Sequence, residues 1–183
     1  MSAHRCSGGS LSRRQAVAGM AGLGGLLASG FVEAIAQPIN RGESMVWPTL
    51  KLLDGKQLCA DDWNDTAGVL VFWATWCPYC RRHNARIDSL HRTAAGAHLR
   101  ILGIALDGDD AAVRHYMTLN GYRFPVVVGD AGLRERLTSR RVIPMTCLVD
   151  RRGHVLQAIP GEMAEDDVLA LASLATETQG PTA

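Results

Sequence analysis

From Leu50 onward, apolar residues fall into short blocks separated by turn formers, and the period of the pattern switches between blocks. Leu50 to Leu58 (LKLLDGKQL) reads as a hairpin turning at Asp54-Gly55. Val69 to Trp73 is β-branched and aromatic, the length of a buried strand and too short for a helix. A helix then runs from Pro78, whose missing N–H costs nothing in a first turn, to Gly96, with Ile87, Leu90 and Ala94 at helical spacing. Leu99 to Leu106 is almost continuously apolar, as in a parallel strand covered on both faces. Asp109-Asp110 opens a second helix with the stripe Val113, Tyr116 and Met117, closed by Gly121. Beyond it the pattern predicts a strand over Phe124–Val128 and a short helix over Ala131–Thr138. Two further strands, Met145–Val149 and Val155–Ile159, are joined at Arg151-Arg152-Gly153, and a last helix covers Met163–Ala175. Strands alternating with helices imply right-handed βαβ units, and the closing hairpin makes the sheet mixed: an α/β/α sandwich.

Residues 1–36 are built differently. Arg5, Arg13 and Arg14 precede an uncharged run from Gln15 to Val32, and Ala34-Ile35-Ala36 supplies a small-x-small cleavage pattern. That is the order of an export signal. SRRQAVA, from Ser12, resembles the twin-arginine motif, although Ala16 and Val17 stand where bulkier residues are usual. The competing reading is a retained membrane anchor facing the periplasm, since the run just reaches spanning length; its five glycines favour the signal. The expected division is therefore a signal over 1–36, removed on export to the periplasm, and one domain over 37–183.

Charge changes the picture little. Removing 1–36 takes three arginines and Glu33 from 19 basic and 18 acidic side chains, so a net charge of +1 becomes −1. No general attraction to nucleic acid or anionic membrane follows. A monomer is expected.

The candidate chemistry lies in VFWATWCPYCRRH, residues 71–83. Cys77 falls where a strand ends and a helix begins, so unpaired N–H groups and the positive dipole end favour its thiolate. Cys80, one turn on, is placed to resolve a mixed disulfide formed at Cys77. A metal clamp needs about four ligands, and Cys59 and Cys147 are isolated. A staple closing so short a loop removes little chain entropy. The redox pair is the leading reading, with no cofactor and no metal.

These motifs together resemble the thioredoxin superfamily, and within it the TlpA/ResA-like branch of exported thiol-disulfide oxidoreductases. The residues that carry the resemblance are VFWATWCPYC (71–80), IALDGDD (104–110), FPVVVGD (124–130) and IPMTCLVDRRG (143–153). It covers about residues 45–175 and implies a thioredoxin-like sandwich with the added strand and helix of TlpA-like proteins. It also implies that Cys77 is the exposed attacking thiol and Cys80 the buried resolving one. Pro144 would be a cis-proline presenting the backbone of Ile143 to a substrate peptide, and Trp76 would shield Cys77.

Three positions depart from the family pattern. His83 stands where relatives often carry a glutamate that tunes the thiols; a proton-handling role competes with that of a solvated helix-face histidine. Ala85 replaces a helix-kinking proline and predicts a straighter helix. Val71 replaces the buried acid of thioredoxin. Of the remaining cysteines, Cys147 reads as a buried inert thiol, with a Cys59–Cys147 bridge as the alternative.

Pro78-Tyr79 between the cysteines does not fix the direction of electron flow, but an apolar Ile143 resembles the reducing members. The resemblance thus implies a periplasmic dithiol reductase. Its partners would be exported thiol- or disulfide-bearing proteins, such as apocytochrome haem-site cysteines in cytochrome c maturation or copper-site thiols. A membrane thiol reductant would keep it reduced. The rivals are a disulfide oxidase or isomerase and, from another class, a copper-binding delivery protein.

Overall fold

The computed structural model describes residues 47–63, 65–93, 98–129 and 131–175. The expected export signal, Ala94 and Gly96 lie outside them. In chain order the elements are β1 (Leu50–Lys51), β2 (Gln57–Leu58), β3 (Gly68–Trp73), α1 (Pro78–His91), β4 (Arg100–Ala105), α2 (Asp110–Asn120), β5 (Val126–Val128), α3 (Ala131–Leu137), β6 (Met145–Val149), β7 (Val155–Pro160) and α4 (Glu165–Ala170). The expected hairpin is β1–β2, pairing Leu50 with Leu58 around Gly55 at φ +88°.

A five-stranded sheet runs β5-β4-β3-β6-β7, parallel from β5 to β3 and antiparallel from β3 to β7. This is the mixed sheet expected of a thioredoxin-like fold. Side chains of β3 alternate between its two faces. Val69, Val71 and Trp73 pack with Ile87 and Leu90 of α1, Val113 and Met117 of α2 and Val168 of α4. Leu70 and Phe72 pack with Leu133 and Leu137 of α3 and with Leu50 and Leu58 of the hairpin. Every residue of β3 is buried, as a central strand covered on both faces requires.

Several boundaries differ from the sequence pattern; α1 stops at His91 with Arg92 as its C-cap, short of the expected end at Gly96. The strand expected from Phe124 starts at Val126, because Pro125 has no N–H to add to the ladder and contributes only its carbonyl, which accepts from Gly103 at 2.9 Å. The last helix begins at Glu165 and tightens into a 3₁₀ turn over Leu171–Ala175. Ala164 caps it without a side-chain bond, and the acids Glu165, Asp166 and Asp167 in its first turn suit the helix dipole instead. α1 continues unbroken through Ala85, and α2 closes on Gly121 at φ +68° as expected.

Gly103 lies opposite Val71 in the β3–β4 register. A Cβ there would sit 2.7 Å from Phe124 Cε2 and 2.8 Å from Trp73 Nε1, both in buried rings. We expect Gly103→Ala to lower stability by about 1–3 kcal/mol through overpacking. Urea unfolding at neutral pH measures it; an unchanged midpoint would contradict the close approach.

Candidate functional site

β3 ends at Trp73, and Ala74, Thr75 and Trp76 carry the chain to the start of α1. Cys77 is the N-cap of that helix, with β-region dihedrals (φ −91°, ψ 113°), and Pro78 occupies the first helical position. The Cys80 N–H donates to Cys77 Sγ at 3.2 Å, so a thiol does what a serine or aspartate oxygen does at most caps. Both cysteines are free thiols.

The loop before β6, the strand paired antiparallel with β3, meets this pair at the end of the sheet. The Ile143–Pro144 peptide bond is cis, and Cys77 Sγ lies 4.0 Å from the Ile143 carbonyl oxygen. Cys77, Cys80, Ile143 and Pro144 are thus brought together as expected. Trp76 adjoins them and is 73% exposed, which excludes core packing; it lines a concavity with Thr75, Cys77, Pro78, Arg81 and Arg82.

Cys77 itself corrects an expectation. It is only 5% exposed rather than open, because its sulfur turns in against the Cys80 N–H and the Ile143 carbonyl. Cys80 is fully buried. Burial, then the hydrogen bond with Cys77, holds the Cys80 thiol well above its ordinary value. Burial thereby favours the protonated form of this thiol.

His83 corrects a second expectation. It is fully buried rather than solvated, since it lies on the inner face of α1 with Cys80, Asn84, Ile87, Asp88 and Leu90. Its Nδ1 accepts from the Met163 N–H at 3.4 Å, which leaves Nε2–H to donate to Thr146 Oγ1 at 3.0 Å. Burial, then the nearby Arg86, pushes its pKa down to about 4, against the pull of Glu162. Thr146 pairs in register with Val71, the position that lacks an acid, so a neutral imidazole–hydroxyl pair occupies this side of the core.

Three supporting contacts were not foreseen. Asp107 accepts from the Thr75 N–H at 3.1 Å and from its hydroxyl at 2.5 Å, fixing the turn that carries Trp76. Glu162 takes a fork from Arg82 (3.0 and 2.6 Å) and a bond from Arg86 (2.7 Å), while Arg86 also donates to the Met163 carbonyl. The Gly161 N–H donates to the Pro144 carbonyl at 2.8 Å. Residues 161–163 therefore strap α1 to the cis-proline loop. Asp107 stood within a quoted motif; Glu162 carried no local signal.

Cys147 is a free, fully buried thiol whose pKa burial pushes up to about 12. It forms no bridge to Cys59 and packs with Leu70 and Phe72, on the sheet face away from α1. Among the described residues no group of three or more His, Cys, Asp or Glu could hold a metal ion, and no helix is long and apolar enough to cross a membrane.

A mixed sheet with two thiols at the start of α1, facing a cis-proline, defines a thiol-disulfide oxidoreductase of the thioredoxin superfamily. A model of the AhpC/TSA family matches residues 42–158, and the chain belongs to that family. It is 28% identical over 118 residues to the thiol-disulfide oxidoreductase ResA of Bacillus thuringiensis subsp. konkukian, across 63% of this chain and 67% of the relative. StoA from Bacillus subtilis shares the fold with a TM-score of 0.60 at 18% identity, over 72% of this chain and 98% of that one. A secreted Mycobacterium tuberculosis disulfide oxidoreductase, described as homologous to E. coli DsbE, gives 0.59 at 19%, over 70% and 96%.

Proposed function

We propose that the protein is a periplasmic dithiol reductase of disulfides in exported partner proteins. One observation carries the reading: Cys77 Sγ accepts the Cys80 N–H at a helix start and lies 4.0 Å from the carbonyl before cis-Pro144, with Cys80 sealed beneath. The N–H donor and the helix end stabilise a negative sulfur. That thiolate attacks one sulfur of the partner disulfide, the S–S bond breaks, and the leaving sulfur departs as a thiolate that takes up a proton. Cys80 then loses its proton and attacks Cys77 Sγ. The partner's second thiol is released, and two electrons have passed from the Cys77–Cys80 pair to the partner. Return to the dithiol needs two electrons from an external dithiol, which we assign to a membrane thiol reductant. No further cofactor is called for.

Trp76 and Ile143 act as substrate-binding residues in this reading, with Pro144 holding the Ile143 backbone toward the partner. His83 does not handle protons from substrate; both its nitrogens are engaged, and it positions α1 against Met163 and Thr146. The secreted Mycobacterium tuberculosis neighbour supports a place outside the cytoplasm, which the export signal read in residues 1–36 would reach. Haem-site cysteines of apocytochromes and copper-site thiols are the partner classes that suit this branch.

A reducing direction is supported by the surroundings of Cys77. Of the two arginines that line the Cys77 concavity, Arg82 has its guanidinium engaged by Glu162 rather than by the sulfur. Strong oxidants near −120 mV stabilise their thiolate far more than thioredoxin-like reductants near −270 mV, a gap of roughly 7 kcal/mol for two electrons. We expect a potential below about −200 mV in glutathione or dithiothreitol redox buffers. A value well above that, with dithiol peptides oxidised faster than disulfides are reduced, would reverse the direction.

A further inference from the structure

Five large apolar side chains stay exposed among the described residues, and three of them border the site. Trp76 (73%) and Tyr79 (58%) flank Cys77, and Val142 (51%) precedes Ile143. Arginines frame this patch. Arg81 and Arg82 line the Cys77 concavity, and the Arg82 guanidinium stacks 5.0 Å from the Tyr79 ring centroid. Arg140 and Arg141 are exposed immediately before Val142. Behind them Arg134 donates to the Arg140 and Val142 carbonyls at 3.3 and 3.5 Å. Burial, and then the like charge of Arg141, pushes the Arg134 pKa down.

The protein's own carboxylates leave much of this charge unanswered. Glu162 neutralises Arg82 together with Arg86, and Glu135 reaches Arg141 only at 4.0 Å between exposed groups, a weak pair. Among the described residues Arg81 and Arg140 have no carboxylate partner. Asp107, beside the concavity, is engaged by Thr75, and Asp109 caps α2 through the Ala111 N–H. Without residues 1–36 the chain has a net charge of −1, so a basic edge here is a local arrangement and not a consequence of composition.

We propose that this edge receives an extended, disulfide-bearing segment of a partner protein with acidic side chains beside its reacting cysteine and an apolar one against Trp76. The proposal rests on the reading that Cys77 exchanges with partner disulfides. The apolar contact supplies affinity, and the arginine frame selects the partner and speeds the encounter.

Two synthetic peptides with an intramolecular disulfide, identical except for three glutamates or three lysines flanking the cysteines, test it against the reduced full chain. Stopped-flow tryptophan fluorescence should show the glutamate peptide reacting about tenfold faster at low ionic strength. The gap should close in 1 M salt, where screening shortens to about 3 Å. The double variant Arg140→Glu, Arg141→Glu, both exposed, should invert the preference; Arg140→Gln, Arg141→Gln should narrow it, since Arg81 remains. Equal rates for the two peptides at all salt concentrations, or a preference untouched by both variants, would overturn the proposal. The dithiol forms of the same peptides, mixed with oxidised protein, report the preference independently of direction. A preference seen only there keeps the docking proposal and overturns the reductase reading. Sedimentation of wild type and variant covers the remaining occupant: a dimer lost on charge reversal, without peptide preference, assigns the patch to a second copy and overturns the proposal.

Discussion

Cys77→Ser removes disulfide reduction, a loss on the order of a thousandfold or more, because a hydroxyl at this N-cap cannot act as a thiolate nucleophile. Cys80→Ser stops turnover at a different point. Its Cys77 still attacks, but nothing resolves the product, and the mixed disulfide accumulates to one equivalent. Intact mass after a single turnover with a disulfide peptide distinguishes the two: the adduct is absent in the first variant and stoichiometric in the second. The assignment rests on geometry. Cys77 borders the surface concavity and its sulfur takes the helix-start N–H, whereas Cys80 is sealed with its pKa raised by burial. If Cys77→Ser formed the adduct through Cys80 at the wild-type rate, the roles of the two sulfurs would be exchanged. The same adduct, formed with extracts of the exported fraction, would name the partner. Cys147 has no part in it, since it faces the other side of the sheet.

What the sequence made legible is what local spacing encodes. The strand ending at Trp73 and the cap at Cys77 follow from period, proline placement and the run of β-branched residues, and both stand where expected. Position 144 became readable through the resemblance, which implied the cis bond that the structure contains. Contacts between distant segments were silent. Glu162 meets Arg82 and Arg86 across some 80 residues, and His83 meets Thr146 across 63, so neither leaves a short-range pattern. His83 was missed for a second reason. Its spacing from Cys80 and Ile87 already put it on the inner stripe of α1, but its residue type argued for solvent, and position outweighs type when a partner such as Thr146 is supplied. The openness of Cys77 was overstated for a related reason: a cap residue that reacts with partners must also satisfy the backbone it caps, and that turns its sulfur inward.

That buried imidazole makes stability depend on acidity in a defined window. His83 has a folded-state pKa of about 4 against an ordinary 6.5. Between those values the unfolded chain binds a proton that the folded one refuses, so stability is fully present above pH 6.5 and falls as pH drops toward 4. The full shift corresponds to roughly 3 kcal/mol, most of it lost by about pH 4.5. Protonation would also destroy the Nδ1 acceptor of the Met163 N–H and set a buried cation beside Arg86, partly offset by Glu162. The strap over residues 161–163 therefore weakens at the same time as the core. We expect urea unfolding midpoints of the wild type to fall steeply between pH 7 and pH 4.5. His83→Gln should start lower at pH 7, from imperfect replacement of the two hydrogen bonds, and then decline less. Subtracting the two curves isolates the imidazole from the carboxylates that titrate in the same range. Parallel curves would show that His83 is as free to protonate in the folded protein as in the unfolded chain, and would remove it from the buried support of α1.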